Sequence, residues 1–295
     1  NTSIAIKAIA KFVGLPVPPE IEESLKAKEE ASKLIPPRPP ELCPGCPHRA
    51  SFYVIKKAIG GEAIVCTTDI GCYALGIRPP MQIGDLLICM GASIGTACGI
   101  SEATGKPVIA VIGDSTFFHA GIPALINAVY NNHRVVVCVL DNFTTAMTGF
   151  QPHPGTGVTG MGSPAKRVLV EEVARGCGCE FVRVVDPFDV RDAISILKEA
   201  LKYEGPSVIV FRHPCAILSA RMKRARGEPI IPYRINEKKC TNCRMCINST
   251  GCPAFYVKDG KVHINEVLCN GCGLCAQVCP QKAIEPVKKS KWKRR

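Results

Sequence analysis

Short apolar runs alternate with longer amphipathic segments through the middle of the chain. The runs of strand length lie at residues 63–67, 86–90, 108–113, 135–141, 180–186 and 207–212. Between them, residues 119–132 and 189–203 repeat their apolar positions at the spacing of a helix. Apolar strands that alternate with helices are typical of a parallel sheet covered by helices on both faces. The pattern therefore predicts a doubly wound, mostly parallel α/β domain over residues 42–219.

The segments on either side of this domain have different patterns. Residues 1–41 are predicted to form an arm of two helices that ends in a proline-rich stretch and packs on another chain or domain. Residues 220–236 are basic and contain prolines, which indicates a linker. Residues 237–287 repeat one cysteine pattern twice and predict a small α+β module, and residues 288–295 are predicted to be a solvated basic tail.

Composition limits the class of protein. Apolar residues make up 46% of the 295 positions and charged residues 21%, which excludes a disordered chain. No run approaches the roughly 20 apolar residues of a membrane span, so we expect no membrane partner. Because no basic and then apolar leader begins the chain, a cytoplasmic location is predicted. In that compartment the 18 cysteines favour metal ligation over disulfide bonds.

The positive charge is concentrated in two places. The formal net charge is +12, of which residues 221–239 contribute +5 and residues 281–295 contribute +6. Both segments flank the repeated cysteine pattern, and aromatic residues make up only 6% of the chain. A nucleic-acid groove normally combines basic residues with stacking aromatics, so we expect no nucleic-acid partner. An acidic redox partner is favoured instead, because opposite surface charges speed encounter.

The cysteine module contains two runs of thiols that end in Cys-Pro. In each run three cysteines are spaced by three residues, and the fourth follows after five residues in the first run and three in the second. This spacing lets three thiolates converge on one [4Fe-4S] cube while the fourth closes the other cube. Zinc sites use Cys pairs instead. The predicted ligand sets are Cys240, Cys243, Cys246 and Cys279 for one cube and Cys269, Cys272, Cys275 and Cys252 for the other. The module resembles the bacterial two-cluster ferredoxins, from which the five-residue gap before Cys252 departs.

Polar residues follow two neighbouring strands of the predicted sheet. Gly113, Asp114 and Ser115 end one apolar run, and Asp141 and Asn142 end the next, 25 residues after Ser115. Both tips lie at the carboxyl edge of a parallel sheet, where open α/β folds bind ligands. Carboxylate and amide oxygens at such an edge suit Mg²⁺ bound to a diphosphate. A simple Gly-Asp turn that closes a strand is the alternative.

These residues resemble the diphosphate-binding motif of thiamine diphosphate enzymes, which reads Gly-Asp-Gly and, some 25 residues later, Asn-Asn. Ser115 and Asp141 depart from it. The resemblance implies Mg²⁺ on Asp114, the Asn142 side chain and the Thr144 carbonyl. It also implies cofactor contacts from Gly113 and Ser115 and a turn along the diphosphate that contains Thr145, Met147, Thr148 and Gly149. Ile94 is predicted to wedge the cofactor into its bent shape, and ordinary packing at a helix start is the alternative for Ile94.

A third cysteine set is implied only by resemblance. Cys43 and Cys46 open the sheet domain, Cys72 follows its first strand and Cys215 follows its last. No spacing rule unites them, and buried free thiols are the alternative. The catalytic domain of 2-oxoacid:ferredoxin oxidoreductases has cysteines in these positions, which implies a third [4Fe-4S] cluster beside thiamine. The remaining cysteines are expected to be small core residues.

The whole constellation resembles the C-terminal portion of the large subunit of indolepyruvate:ferredoxin oxidoreductases. Residues 43–49, 113–119 and 141–149 carry the closest matches. The resemblance implies oxidative decarboxylation of an aryl 2-oxoacid to acyl-CoA and CO₂, with electrons passed through [4Fe-4S] clusters to an external ferredoxin. The implied partners are a pyrimidine-binding domain or subunit, a small subunit and coenzyme A. Because the activating glutamate of thiamine enzymes belongs to the pyrimidine-binding domain, we expect a shortened or split subunit that is inactive alone.

Three histidines lie close in sequence to these motifs. His48, His119 and His153 are candidate proton shuttles, with structural hydrogen bonds as the alternative for each. Two other functions remain open at this point. One is an electron-transfer subunit without thiamine chemistry, and the other is an oxidoreductase for pyruvate or 2-oxoglutarate.

Overall fold

A parallel sheet of six strands organises the central part of the chain in the computed structural model, which describes residues 2–36 and 39–287. The strand order is β2-β1-β3-β4-β6-β5, and all neighbouring strands of this sheet are parallel. The strands are β1 (Cys66–Thr68), β2 (Leu86–Leu87), β3 (Val108–Gly113), β4 (Val135–Asp141), β5 (Phe181–Val185) and β6 (Ser207–Arg212). The predicted doubly wound sheet is confirmed.

Helices cover both faces of this sheet because its strands alternate their side chains between two cores. Ile109 and Val111 of β3 face one hydrophobic cluster, while Ala110 and Ile112 face the other. The helices of residues 39–287 are α3 (Pro47–Ile59), α4 (Ser93–Thr104), α5 (Asp114–Thr116), α6 (Ile122–Tyr130), α7 (Val170–Gly176), α8 (Val190–Lys202), α9 (Ala216–Ala225), α10 (Met245–Thr250) and α11 (Leu274–Val278). Shorter turns of helix lie at Cys72–Ile77, Phe117–Gly121 and Pro154–Thr156.

The N-terminal residues form a compact unit of their own, Asn1–Pro40. It consists of α1 (Thr2–Phe12) and α2 (Pro19–Leu34), close to the two helices expected there. Lys28 Nζ donates a hydrogen bond to Ser3 Oγ at 3.2 Å between the two helices. The expectation that this arm packs on another chain stays a prediction.

The cysteine-rich module is built from two strand pairs and two short helices. Strand β7 (Tyr233–Ile235) pairs antiparallel with β10 (Ile284–Pro286), and β8 (Phe255–Lys258) pairs antiparallel with β9 (Lys261–Ile264). Leu274 and Val278 of α11 belong to the same buried cluster as the residues of α3 and α8. The module therefore packs directly on the sheet domain, within the single unit Glu41–Arg295.

The segment predicted as a linker, residues 220–236, is shorter than expected. Helix α9 continues to Ala225, and β7 begins at Tyr233 because its backbone pairs with β10. The tail predicted at residues 288–295 lies outside the described residues. Within the described part of the chain, no helix combines the length and apolar character needed to cross a membrane.

Candidate functional site

The Asp114 carboxylate joins the tips of β3 and β4. It is buried, and its Oδ1 accepts a hydrogen bond from the Ser115 N–H at 2.8 Å. Its Oδ2 accepts from the N–H groups of Asn142 at 3.0 Å and Phe143 at 2.9 Å. Phe143 has a φ of +62°, a left-handed conformation at the turn that follows Asn142. The strand tips predicted to meet at this edge are therefore held together by one carboxylate.

The Asn142 side chain extends this arrangement toward α3. Its Oδ1 accepts from the Thr144 N–H at 3.2 Å, and its Nδ2 lies 3.2 Å from His48 Nε2. Asp114 Oδ1 and Asn142 Oδ1 each receive a single N–H, so each keeps a lone pair for a metal ion. This donor set of hard oxygens fits Mg²⁺.

Two of the three candidate histidines lie at these strand tips. His153 is buried with its Nε2 at 3.1 Å from Asp114 Oδ2, although off the line of a well-formed hydrogen bond, and its Nδ1 accepts from the Gly155 N–H at 3.2 Å. His48 is also buried, and burial lowers its pKa to about 4, with the Asp114 charge acting in the opposite direction. A neutral His48 at neutral pH follows.

Asp141, which departs from the thiamine motif, has a partner of its own. Its Oδ2 accepts from Arg212 Nε at 2.7 Å, and the two terminal nitrogens of Arg212 bind the carboxylate of Glu171 at 2.9 and 2.5 Å. Burial and the neighbouring Asp114 raise the pKa of Asp141, while Arg212 lowers it. Arg212 hydrogen bonds lower the pKa of Glu171. The extra carboxylate at this position therefore holds β4 to β6 and α7.

A cavity of about 120 Å³ opens beside these residues. The predicted cofactor-binding residues that line it are Gly113, Asp114, Ser115, Asn142, Thr144, Thr145, Met147 and Thr148. His48, Cys72 and Tyr73 line the same cavity. A Cβ on Gly113 would lie 2.4 Å from the Tyr73 ring, so this glycine is required by close approach of an aromatic side chain. Hydroxyl groups that line a cavity beside a candidate Mg²⁺ site fit a diphosphate.

Sequence reasoning missed Asp69, a fully buried carboxylate beside this cavity. Asp69 accepts hydrogen bonds from Ser93 Oγ at 2.7 Å and from the Gly91 N–H at 2.5 Å. It thereby holds the turn before α4, from which Met90 lines the cavity. The signal was present, because Asp69 follows β1 at the same sheet edge as Asp114 follows β3.

Four cysteines of the sheet domain lie together next to the cavity and form what we call the sheet-domain site: Cys43, Cys46, Cys72 and Cys215. Burial, together with the neighbouring Cys215 and Cys43, raises the pKa of Cys72 to about 11. Burial and Cys215 also raise the pKa of Cys43. Thiols that oppose one another's ionisation need positive charge to become thiolates together, and the irons of a cluster supply it. Cys46 and Cys215 directly precede α3 and α9, whose amino ends also favour negative charge.

Each of the other two cysteine sites combines three cysteines of one run with the last cysteine of the other run, as expected from the spacing. One cavity is lined by Cys252, Cys269, Cys272 and Cys275, the inner site, and another by Cys240, Cys243, Cys246 and Cys279, the outer site. N–H groups approach the sulfurs, with Tyr233 N at 3.4 Å from Cys269 Sγ and Ala283 N at 3.3 Å from Cys279 Sγ. No three His, Cys, Asp or Glu side chains of the described residues form a site for one metal ion. The four ligands of a cube, by contrast, bind four different irons.

Comparisons with known proteins agree with this arrangement. Residues 69–211 match the family described as thiamine pyrophosphate enzyme, C-terminal TPP binding domain, and residues 262–285 match the 4Fe-4S binding domain. The chain is 47% identical over 304 residues to the indolepyruvate oxidoreductase subunit IorA of Pyrococcus horikoshii, which covers 98% of this chain and 47% of that protein. The IorA subunit of Archaeoglobus fulgidus is 48% identical over 282 residues, 95% of this chain and 45% of that protein. The chain is similar to the C-terminal portion of these IorA subunits.

The chain spans about half the length of the curated relatives it matches. The predicted resemblance to the C-terminal portion of the large subunit is confirmed. Among solved structures, 2-oxoglutarate:ferredoxin oxidoreductase from Magnetococcus marinus is similar with a TM-score of 0.52 and 19% identity, over 61% of this chain and 66% of that one. At that identity the likeness shows the fold.

Three predicted site residues do not line the cavity. Ile94 is fully buried in the core beneath α4, because it is on the face of that helix that packs on the sheet, and it does not line the cavity. Ile94 is therefore an ordinary packing residue and not the predicted wedge. Met90 is the apolar residue of that segment that lines the cavity. His119 is exposed on the helical turn after α5. Gly149 has a φ of +128° and ends the turn without lining the cavity.

Proposed function

We propose that this chain carries the catalytic and electron-transfer part of an indolepyruvate-type 2-oxoacid:ferredoxin oxidoreductase. The reaction is the oxidative decarboxylation of an aryl 2-oxoacid to acyl-CoA and CO₂, with electrons passed to ferredoxin. One observation carries the proposal. Cys72 of the sheet-domain site lines the same cavity as Asp114 and Asn142, so a thiamine site and a cluster site would adjoin.

The residues of the cavity have separate tasks in this proposal. Asp114, Asn142 and the Thr144 carbonyl would hold Mg²⁺, and the hydroxyl-bearing turn from Thr145 to Thr148 would contact the diphosphate. His48, neutral because burial lowers its pKa to about 4, positions the Asn142 amide and can exchange a proton at the cavity. Bound thiamine diphosphate would supply the carbanion and electron sink for decarboxylation.

The three cysteine sites would carry electrons away in sequence. The sheet-domain site is next to the cavity, and the Gly45 loop between its cysteines contacts the inner site, since an added Cβ on Gly45 would lie 3.7 Å from Cys272 Cβ. Burial raises the pKa of Cys275 of the inner site, and Cys246 of the outer site is among the neighbouring thiols that add to this shift, which indicates that the two sites are close. Cys243 of the outer site is exposed.

The outer site is where an external ferredoxin would dock. Lys238, Lys239 and Arg244 are exposed around Cys243 in sequence. Ferredoxins that accept electrons here would present acidic surfaces, since opposite charges speed encounter. Coenzyme A, the small subunit and the pyrimidine-binding domain complete the proposed assembly.

Cofactor analysis of anaerobically prepared protein tests the proposal. Three cubes predict about 12 iron atoms and as many acid-labile sulfides per chain, together with thiamine diphosphate retained by the assembled enzyme. About eight irons together with thiamine would mean that the sheet-domain site holds no cluster. Clusters without thiamine would indicate an electron-transfer subunit, and faster turnover of pyruvate or 2-oxoglutarate than of indolepyruvate would overturn the substrate class.

A further inference from the structure

Arg49 is a buried cation at the junction of the sheet domain and the cysteine module. It lies in α3, and only 5% of its surface is exposed. Its Nε donates to the Cys43 carbonyl at 3.2 Å, and its Nη2 donates to the Leu42 carbonyl. Its Nη1 donates to the carbonyls of Thr250 at 2.9 Å and Gly251 at 2.6 Å, which belong to the module. One guanidinium therefore binds backbone from both parts of the molecule.

The charge of Arg49 forms no close ion pair with a carboxylate among residues 2–36 and 39–287. No Asp or Glu oxygen of these residues lies within 4.0 Å of its nitrogens, although five other Arg–carboxylate contacts and three His–carboxylate contacts form there. Burial lowers the pKa of Arg49, while the thiolates of Cys252 and Cys46, then Glu41 and Cys43, raise it. A buried charge needs a counter-charge to be tolerated. The thiolates nearest to it belong to two different cluster sites.

The same junction brings the two sites into direct contact. Asn270 Nδ2, between two inner-site cysteines in sequence, donates to the Pro44 carbonyl at 2.7 Å. Gly45 has a φ of +74°, and an added Cβ would lie 2.8 Å from Asn270 Cβ. The Gly45 N–H also acts on the Cys252 thiol, whose pKa is raised by burial and lowered by the Ala254 N–H, Arg49 and the Gly45 N–H. Arg49 therefore places a positive charge where the sheet-domain site and the inner site are in contact.

We propose that Arg49 is a positioning residue whose charge is shared by the sheet-domain cluster and the inner cluster, and that it raises the reduction potential of both. The proposal rests on the proposed function, because it requires both clusters. A reduced cluster carries one more negative charge than an oxidised one, so a nearby cation stabilises the reduced form more. The thiols that act on Arg49 belong to the sheet-domain and inner sites, so the outer cluster should be affected least.

Arg49→Gln keeps hydrogen-bond donors and removes the charge. We expect the one-electron reduction of the sheet-domain and inner clusters to become at least tenfold less favourable, which is a shift of about 59 mV toward negative potential. Arg49→Lys keeps a charge and loses the planar fork, so its shift should be less than half as large. Arg134→Gln is the matched control, because Arg134 pairs with Glu204 at 3.2 Å before β4, at the opposite edge of the sheet.

The measurement is a redox titration of the full chain, loaded with clusters anaerobically and followed by electron paramagnetic resonance, after iron and sulfide have been counted. Negative shifts in two of three clusters for Arg49→Gln, with Arg134→Gln unchanged, support the proposal. Iron loss in Arg49→Gln with near-native potentials in Arg49→Lys also supports it. Unchanged potentials in fully loaded Arg49→Gln, or iron loss from both Arg49 variants, overturn it. A wild-type count near eight irons instead removes the three-cluster function itself.

Discussion

The Cys215 N–H donates a hydrogen bond to the Asn142 carbonyl across 3.0 Å. The strands that lead to these two residues are paired in register, since β4 and β6 end with Asp141 opposite Arg212. One peptide group therefore connects a predicted Mg²⁺ ligand to a cysteine of the sheet-domain site. The distance between the two proposed cofactors is set by neighbouring strand ends of one sheet.

Asn142→Ala should abolish thiamine diphosphate and Mg²⁺ retention, because it removes a side-chain oxygen and the contact to His48. We expect turnover of the assembled enzyme to fall more than about 100-fold, with iron content unchanged. Thiamine content and CO₂ release measure these effects. Asn131→Ala, at the exposed end of α6, is the matched control. Full thiamine binding by the Asn142 variant would contradict the assignment.

Cys72→Ser should remove the sheet-domain cluster and leave the other two. Iron should then fall from about 12 to about eight atoms per chain, because Cys72 shares its site with Cys43 and Cys215. The control is Cys89→Ser. Cys89 was expected in the core, but it is exposed and belongs to none of the three sites. Equal iron in the two variants would mean that Cys72 ligates no iron.

Glu171→Gln should make the folded state less stable near neutral pH. Arg212 hydrogen bonds lower the pKa of Glu171 in the folded protein. Its stabilisation is therefore present above the ordinary carboxyl pKa and disappears as the pH falls through the lowered value. We expect a loss of about 1 kcal/mol at pH 7, kept small because the pair is partly exposed to solvent. Urea unfolding at neutral and acidic pH measures it, with the exposed Glu172→Gln as control. A stability difference between the variant and the native chain that grows as the pH falls would contradict this prediction.

Gly113→Ala and Gly99→Ala should change stability in opposite directions. The added methyl at Gly113 would collide with Tyr73 at 2.4 Å, whereas at Gly99 of α4 it would meet no other part of the described chain within 4 Å beyond its own helix. Overpacking destabilises by about 1–3 kcal/mol, while alanine in a helix stabilises by about 0.5–1 kcal/mol relative to glycine. Thermal unfolding of both variants tests this. A Gly113 variant as stable as the native chain would mean that Tyr73 moves aside freely.

The isolated chain should not turn over an aryl 2-oxoacid. It spans 47% of the length of its Pyrococcus horikoshii relative, and the proposed function assigns the activating glutamate to a pyrimidine-binding domain. We expect CO₂ release only when a pyrimidine-binding domain and the small subunit are supplied together with coenzyme A and ferredoxin. Turnover by the chain alone would show that it contains its own activating group.

Sequence patterns predicted the buried parts of the fold well. Strands β3, β4 and β6 occupy the predicted residues, because central strands of a parallel sheet are apolar on both faces. Strand β2 is two residues long, since this edge strand runs into exposed residues such as Ile88. Local spacing alone sufficed for the inner and outer cysteine sites, whose ligands lie within one module.

Long-range contacts escaped the same reasoning. Cys43 and Cys215 are far apart in sequence and meet only because the sheet closes between them, so only resemblance united them. Ile94 and Met90 are both apolar residues at a helix start, and the sequence alone does not tell which one faces the cavity. Arg49 resembled any surface arginine, because its four carbonyl partners come from two separate segments.

Leu274 and Val278 of the module share one buried cluster with α3 and α8. In the proposed enzyme, electrons would therefore pass from the sheet-domain cluster to the inner cluster without a domain movement or a docking step. The rate of electron transfer between these clusters should be insensitive to solvent viscosity. Only electron transfer to a diffusing acceptor should become slower as the viscosity rises.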